Sequence, residues 1–246
     1  MLNPLLPKFT LLTLDNYSLA ATWEQTESQL VAQVMQTQQA YALVHLGEHQ
    51  GVVVPRSYVH KYSATWQQAQ ASFAAQGLEI HTRLSGGGVV PQTPEIINIH
   101  LAYIVETPEP FLVAQDHYEA LCTLLADFLA QYNIEASWQT VEGSFCDGRF
   151  NLSVNGQKIV GTAQNWQRAG DKALVGDKYV VLSHALLLVG DSKYLTELTN
   201  KFERAVGTDT IYLATKTTTV NECEQGVSAA QVYSDFLNYL QRTYCA

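Results

Sequence analysis

Residues 143–164 read GSFCDGRFNLSVNGQKIVGTAQ, a stretch that predicts a hairpin with a reactive group at each of two neighbouring turns. FNLSV (150–154) and KIVGTAQ (158–164) have the apolar and β-branched residues of strands, and the NGQ between them is a turn signal. Cys146 lies in the turn before the first strand, and Lys158 begins the second strand. The two turns therefore bring a thiol and an amine to nearly one place.

Each of these groups has a functional and a structural interpretation. A cysteine in a turn is more often exposed than one in a core, so Cys146 is a candidate nucleophile; the alternative is an incidental thiol. Lys158 stands at an apolar strand, where its amine is expected to face a ligand, to stabilise a thiolate or, once desolvated, to act as its base. The alternative is a lysine that protects a strand edge. Gly161, Thr162 and Ala163 are small and would let a ligand pass close to the backbone.

A second stretch, RLSGGGVV at 83–90, has three consecutive glycines. Glycines let backbone N–H groups approach a ligand closely, and Arg83 and Ser85 add a cation and a hydroxyl. Such a loop suits a carboxylate, a phosphate or a thioester carbonyl, although a plain connecting loop has the same composition. It is not a P-loop, because no Lys-Ser/Thr pair follows at the required spacing.

The rest of the chain alternates predicted helices and strands. Apolar spacing predicts helices over 22–37, 63–76, 115–132, 192–206 and 227–243. Strands are expected at 41–46 and 51–55, which we interpret as a hairpin, and at 78–84, 96–105 and 178–190, the last as one long strand or a pair. Mixed elements with several hairpins predict an α+β fold with a mixed, largely antiparallel sheet packed with helices. We expect a single domain over residues 1–246, with its closing helices in 191–246.

Composition and charge exclude several classes of protein. Hydrophobic residues make up 47% and charged residues 15% of the chain, which argues against disorder. A net charge of -9 argues against nucleic acid as the main partner. Residues 143–180 nevertheless hold five basic and three acidic side chains, whereas residues 1–142 hold four and thirteen. This mildly positive stretch would accept an anionic ligand or an acidic partner, or it is an ordinary solvated face.

Cysteine and histidine spacing gives no metal signature. Cys122, Cys146, Cys223 and Cys245 form no CxxC pair, and free thiols in a reducing compartment fit them best. Cys122 lies on the apolar stripe of its helix and is expected in the core. The histidines have no paired spacing and are interpreted as structural, so no metal is predicted; they are His45, His49, His60, His81, His100, His117 and His184. Without a signal-peptide pattern or a membrane-spanning apolar run, we expect a cytoplasmic protein with no membrane partner.

With these motifs placed, RLSGGGVV, then Asn98, then GRFNLSVNGQKIVGTAQ resemble the lipoate-protein ligase and octanoyltransferase family over residues 40–190. The resemblance implies the catalytic-domain fold that this family shares with biotin protein ligases. It implies an acyl pocket lined by the motif residues Arg83, Ser85, Gly86, Gly87 and Gly88, and a second motif made by Asn155, Gly156, Lys158, Gly161 and Ala163. Lys158 would contact the acyl carbonyl or an adenylate. Asn98, Gly143 and Thr162 complete the expected substrate-binding set.

The GSFC turn is similar to that of the cysteine-dependent octanoyltransferases and amidotransferases of this family, which implies that Cys146 accepts the acyl group. Four departures from the family pattern concern donor recognition and nucleotide binding. The glycine run lacks a following His-Asp pair, Asn151 replaces an Asp of the nucleotide site, Asp147 replaces a Pro, and Asn165-Trp166 replaces a double arginine.

The resemblance thus implies an acyltransferase that moves an octanoyl or lipoyl group from acyl carrier protein or the glycine-cleavage H protein, through a Cys146 thioester, to a lysine of a lipoyl domain. No cofactor is expected for this reaction. Two alternatives remain open. One is an ATP-dependent lipoate-protein ligase, which would use ATP and Mg²⁺; the other is a non-catalytic protein that binds acyl groups or lipoyl domains.

Overall fold

The computed structural model describes residues 3–245; residues 1, 2 and 246 of the predicted domain lie outside this range. The strands in this range are β1 (Thr10–Leu12), β2 (Tyr41–Leu46), β3 (Gly51–Pro55), β4 (Glu79–Arg83), β5 (Val90–Gln92), β6 (Ile96–Glu106), β7 (Ser137–Trp138), β8 (Leu152–Val154), β9 (Gln157–Arg168) and β10 (Lys178–Leu188). The helices are α1 (Trp23–Thr37), α2 (Ser57–Lys61), α3 (Trp66–Ala74), α4 (Pro110–Leu129), α5 (Lys172–Val175), α6 (Ser192–Val206), α7 (Val220–Cys223) and α8 (Ala229–Thr243). Short 3-10 turns cover Ala130–Tyr132 and Ala214–Lys216.

Side-chain caps fix the start of several helices. Thr22 accepts the N–H of Gln25 at the start of α1, and Ser228 accepts the N–H of Gln231 at the start of α8. Such caps satisfy backbone donors that the first turn of a helix leaves free. The closing helix expected to begin at Ser228 is therefore confirmed.

The larger sheet has seven strands in the order β1-β2-β6-β10-β9-β8-β7. Within this sheet, β1–β2 is the only parallel pair among the described strands; the other neighbours are antiparallel. Residues 178–188 form one long strand, the first of the two alternatives expected there. The prediction of an α+β fold with a mixed, largely antiparallel sheet is confirmed.

Side chains alternate between the two faces of this sheet. In β10, Val181 and Leu187 belong to the apolar layer that α4 and α8 cover, whereas Val180 and Leu182 belong to the layer that α1 covers. Cys122 lies in the first of these layers, fully buried, and its thiol donates to the carbonyl of Phe150 at 3.2 Å. Its predicted place in the core is confirmed.

The smaller sheet has the order β4-β3-β5, with β3–β4 parallel and β3–β5 antiparallel. It packs against α3 and α6, and a further apolar cluster joins it to the larger sheet. Val53 of β3 and Leu186 of β10 meet in that joining cluster, together with Phe145 and Trp23. The segment that carries Cys146 therefore lies at the junction of the two sheets.

The hairpin predicted around residues 155–156 is confirmed. β8 and β9 pair antiparallel, and Asn155 and Gly156 have φ values of 50° and 76°. Positive φ at both central residues is the geometry of a type I′ turn, which matches the right-handed twist of the strands and which Asn-Gly adopts readily.

One predicted strand pairing and two predicted helix starts were wrong. Strands 41–46 and 51–55 do not form a hairpin: β2 pairs with β1 and β6 in the larger sheet, whereas β3 lies in the smaller one. Both strands are apolar on both faces, so each is buried in a separate layer.

The helix expected over 63–76 begins only at Trp66, without a side-chain cap, and the helix expected from 115 begins earlier at Pro110. Proline is favourable in the first turn because the N–H it lacks has no helical partner there.

No helix in the described part of the chain combines the length and the apolar character needed to cross a lipid bilayer.

Candidate active site

Cys146 lies in the irregular segment between β7 and β8, with its side chain half-buried. Its φ of 45° places it in the left-handed region, where a residue with a side chain is strained. Its Sγ accepts the backbone N–H of Gly88 at 3.1 Å. The thiol therefore touches the glycine-rich loop directly.

The glycines of this loop make room for the thiol. Gly87 has a φ of +104°, and a Cβ added there would lie 2.9 Å from Sγ of Cys146. A Cβ on Gly88 would lie 3.2 Å from Cα of Cys146. Gly86, in contrast, has no neighbour within 4 Å of such a Cβ and faces open space. Gly87 and Gly88 thus leave space for Cys146, whereas Gly86 faces open space.

Arg83 holds this loop closed from inside. Its guanidinium is 2% exposed and donates to the carbonyl oxygens of Val53 at 2.9 Å, Gly86 at 2.9 Å and Gly88 at 2.7 Å. Burial lowers the pKa of Arg83 from its ordinary value, while its interaction with Cys146 acts in the opposite direction. A buried cation beside the thiol stabilises negative charge on sulfur.

Lys158 reaches the same turn from β9. Its fully buried Nζ donates to the carbonyl oxygens of Phe145 at 2.8 Å and Cys146 at 3.1 Å. Burial lowers the pKa of Lys158 to about 8. Nζ lies 3.2 Å from where a Cβ of Gly161 would be, so the absence of a side chain at Gly161 makes room for the amine. The amine of Lys158 therefore lies next to Cys146, as predicted, and it is hydrogen-bonded to the backbone carbonyl of that residue.

Asn151 is the second side chain, after Lys158, that donates to the carbonyl of Cys146. Its Nδ2 donates to the carbonyl of Cys146 at 2.9 Å, and its Oδ1 accepts the N–H of Thr162 at 3.1 Å. Thr162 in turn donates its hydroxyl to the carbonyl of Phe150 at 2.7 Å. An aspartate is acceptor-only when ionised and could not donate to Cys146, which gives a physical reason for asparagine at this position.

Three other predicted site residues lie around this centre. Gly143 precedes the turn with a φ of +85°, and its carbonyl accepts the N–H of Leu213 at 2.8 Å. Ala163 lies opposite His184 in the β9–β10 register. Asn98 is fully buried and exchanges two amide hydrogen bonds with Gln92, at 2.9 and 3.2 Å. The roles of these residues in substrate binding stay predictions.

A buried network behind Ser85 was not predicted from the sequence. Oγ of Ser85 lies 3.0 Å from Nε2 of His184, whose Nδ1 lies 3.2 Å from Oε1 of Glu27. Oε2 of Glu27 accepts the N–H of Leu84 at 2.6 Å. The signal in the sequence was a glutamate inside the apolar stripe of α1, four residues after Trp23, because an unpaired carboxylate is rarely buried.

The thiol also borders apolar surface. The side chain of Cys146 packs against the cluster that joins the two sheets, whose members are Trp23, Val53, Val90, Ile96, Phe145, Leu186, Leu188 and Leu195. Ile211 and Leu213, on the neighbouring loop, are 74% and 49% exposed. The sulfur therefore lies at the edge of an apolar cluster.

Several known proteins are similar to this chain in sequence or in fold. The sequence model described as Lipoyl protein ligase A/B catalytic domain matches residues 22–241. An uncharacterized protein of Cupriavidus necator is 41% identical over 178 residues, which are 70% of this chain and 69% of that protein. An octanoyl-GcvH:protein N-octanoyltransferase of Kyrpidia tusciae is 33% identical over 171 residues, 67% of this chain, but the match spans only 57% of that transferase.

Among solved structures, lipoate-protein ligase A bound with ATP superposes with a TM-score of 0.61 over 97% of this chain and 85% of that one. The sequence identity in this superposition is 12%, so the likeness concerns the fold alone. The catalytic-domain fold implied by the sequence motifs is confirmed.

Proposed function

Because the chain belongs to the lipoyl protein ligase A/B catalytic-domain family, we propose that it is an acyltransferase that moves an octanoyl or lipoyl group through a thioester on Cys146. The observation that carries the proposal is the contact between Sγ of Cys146 and the N–H of Gly88, inside a loop that the buried Arg83 cation closes. A cysteine that contacts a backbone N–H and lies beside a buried cation is placed to act as the acyl-accepting nucleophile.

In the first step, the thiolate attacks the acyl carbonyl of the donor. A bond forms between Sγ and the carbonyl carbon, the bond from that carbon to the donor's nitrogen or sulfur breaks, and the leaving group takes up the proton that the Cys146 thiol gives up. Backbone N–H groups of residues 86–88 are the donors best placed to stabilise the oxyanion. Gly86 leaves the side of approach open.

In the second step, the amine of an acceptor lysine attacks the thioester. The carbon–sulfur bond breaks, an amide forms, and the thiol of Cys146 is regenerated. The thioester conserves the energy of the acyl bond, so the reaction as proposed uses neither ATP nor Mg²⁺. Lys158 and Asn151 support both steps as positioning residues, because they hold the carbonyl of Cys146 and with it the strained turn.

The proposed donor is the octanoylated glycine-cleavage H protein, and the proposed acceptor is a lipoyl domain. The name of the Kyrpidia tusciae relative supports this donor. Acyl carrier protein is the alternative donor. The exposed apolar side chains of Ile211 and Leu213 provide a surface beside Cys146 against which the acyl chain or the carrier can pack.

Incubation of the purified chain with octanoylated H protein, followed by intact-mass measurement, tests this proposal. We expect one octanoyl adduct per chain, its disappearance in Cys146→Ser, and its persistence in Cys223→Ser, which removes an exposed thiol in another part of the fold. Addition of a lipoyl domain should transfer the group, and Cys146→Ser should slow that transfer by at least about a thousandfold.

Two results would contradict the proposal. The first is full transfer by Cys146→Ser. The second is the absence of an adduct with either octanoylated carrier; if free lipoate and ATP then released pyrophosphate, the ligase alternative would replace the transferase.

A further inference from the structure

A row of buried histidines crosses the larger sheet on the face that α1 covers. His100 of β6 lies directly opposite His184 of β10, and His45 of β2 lies on the other side of β6. The exposed fractions are 3% for His45, 2% for His100 and 6% for His184. Three imidazoles on neighbouring strands thus share one dry surface between apolar layers.

Helix α1 adds a carboxylate to this row. Glu27 is fully buried, and its Oε1 lies 3.2 Å from Nδ1 of His184. Trp23 donates its indole N–H to the same oxygen at 3.0 Å, and the other oxygen accepts the N–H of Leu84. The carboxylate is therefore held in one orientation from two sides.

His100 has no hydrogen-bond partner for Nδ1 or Nε2 among the described residues. Burial, reinforced by the neighbouring His184 and His45, lowers the pKa of His100 well below its ordinary value. Buried polar groups are nearly always paired, so an unpaired ring nitrogen aimed at a carboxylate and a second imidazole indicates a missing partner.

The positions of these groups suit a metal ion. One ligand atom each from Glu27, His100 and His184 can be chosen so that all lie within 4.8 Å of one another. Ligands about 2.0–2.1 Å from a tetrahedral zinc lie about 3.3 Å apart, and the observed separation of Oε1 of Glu27 and Nδ1 of His184 is 3.2 Å. The ligand atom of His100 lies within 4.8 Å of the ligand atoms of Glu27 and His184. We propose that Glu27, His100 and His184 form a binding site for a divalent transition ion, with Zn²⁺ as the best fit.

The surroundings of the site support this assignment. A histidine that ligates zinc usually bonds its other ring nitrogen to a fixed partner, and Nε2 of His184 lies 3.0 Å from Oγ of Ser85. Two histidines and one glutamate are a known zinc ligand set. A bound ion would join α1, the larger sheet and, through Ser85, the glycine-rich loop.

An entry path lies beside His100. A cavity of about 20 Å³ is lined by Trp23, His45 and His100 together with Glu48 and His49. Glu48 is exposed and His49 is half-buried, so the cavity connects the histidine row with the surface. An acidic side chain at its mouth favours the approach of a cation.

A second group of potential ligands, His49, Glu79 and His81, provides the matched control. It lies at the surface, its two imidazole rings stack 4.2 Å apart, and Nε2 of His81 already contacts the carboxylate of Glu79 at 2.6 Å. Nε2 of His81 therefore has a partner without an ion, in contrast to the ring nitrogens of His100.

Zinc titration of the metal-stripped, full-length chain against a chromogenic competing chelator tests the proposal, with bound metal measured by mass spectrometry after gel filtration. We expect one Zn²⁺ per chain in the wild type and in His81→Phe. His100→Phe keeps an aromatic ring but removes the ligand atom, and it should weaken binding at least tenfold. Glu27→Gln, which keeps the shape of the side chain, should do the same, and far-ultraviolet circular dichroism shows that each variant is folded.

The proposal is overturned if the wild type binds no stoichiometric Zn²⁺. It is equally overturned if the folded His100→Phe and Glu27→Gln variants bind as tightly as the wild type, or if His81→Phe alone abolishes binding.

Discussion

At the scale of single residues, Cys146 is held by contacts to its backbone and its sulfur at once. Lys158 and Asn151 donate to its carbonyl, and Gly88 donates to its sulfur. These contacts offset the strain of a φ of 45°. The sequence predicted that a thiol and an amine converge. Which donors contact the sulfur and which contact the carbonyl of Cys146 depends on the path of the turn.

Lys158 predicts a pH dependence of stability. Burial lowers the pKa of its amine from 10.5 to about 8, so between these values the unfolded chain binds a proton at this side chain that the folded chain lacks. Stability rises with pH wherever the unfolded state binds more protons. The free energy of unfolding of the wild type should therefore increase, relative to Lys158→Met, by roughly 2–4 kcal/mol as the pH rises through this range.

Urea denaturation of both proteins at several pH values within this range measures the difference. Because other titrating groups are common to the two chains, their effects cancel in it. Free-energy profiles that run parallel across the range would show that the amine is not desolvated in the folded state.

At the scale of elements, the hairpin of β8 and β9 and the glycine-rich loop form the site together. The hairpin was predictable because Asn155 and Gly156 are the residues that a type I′ turn requires. The partners of strands 41–46 and 51–55 were not predictable, because strands buried on both faces lack the alternation of apolar and polar residues. Their separation into two sheets places the loop from β4 to β5 against Cys146.

The glycine-rich loop predicts a contrast between two neighbouring substitutions. Gly87→Ala places a Cβ 2.9 Å from Sγ of Cys146 at a φ of +104°, whereas Gly86→Ala meets nothing within 4 Å. We expect Gly87→Ala to cost about 1–3 kcal/mol of stability and to displace the thiol, and Gly86→Ala to be tolerated.

Thermal unfolding gives the stability of each variant, and peptide mass spectrometry after iodoacetamide treatment gives the rate of alkylation at Cys146. Equal rates and equal stabilities for the two alanine variants would mean that the loop does not pack on the sulfur as described.

At the scale of the whole molecule, the site depends on the junction between the two sheets. Phe145 is 1% exposed and packs there beside Val53 of the smaller sheet and Leu186 of the larger one. The residue next to Cys146 is thus part of the core that holds the sheets together, so stability and site geometry are coupled.

Phe145→Ala should cost about 3–5 kcal/mol, the usual range for removing a buried aromatic ring. Phe111→Ala, at a site that is 91% exposed, should change stability by less than about 0.5 kcal/mol. Urea denaturation followed by tryptophan fluorescence measures both values. Similar midpoints for the two variants would contradict the described packing of Phe145.

The sequence by itself determined the fold class, the β8–β9 hairpin, the core position of Cys122 and the motifs that brought Cys146, Lys158 and residues 83–88 together. Turn chemistry and apolar spacing are local properties, so they are readable along the chain. Only the tertiary structure decided that Lys158 donates hydrogen bonds to the backbone carbonyls of Phe145 and Cys146. It alone revealed the group of Glu27, His100 and His184, because α1, β6 and β10 each contribute one member and no spacing along the chain relates them. From the sequence, the two histidines had only a structural interpretation.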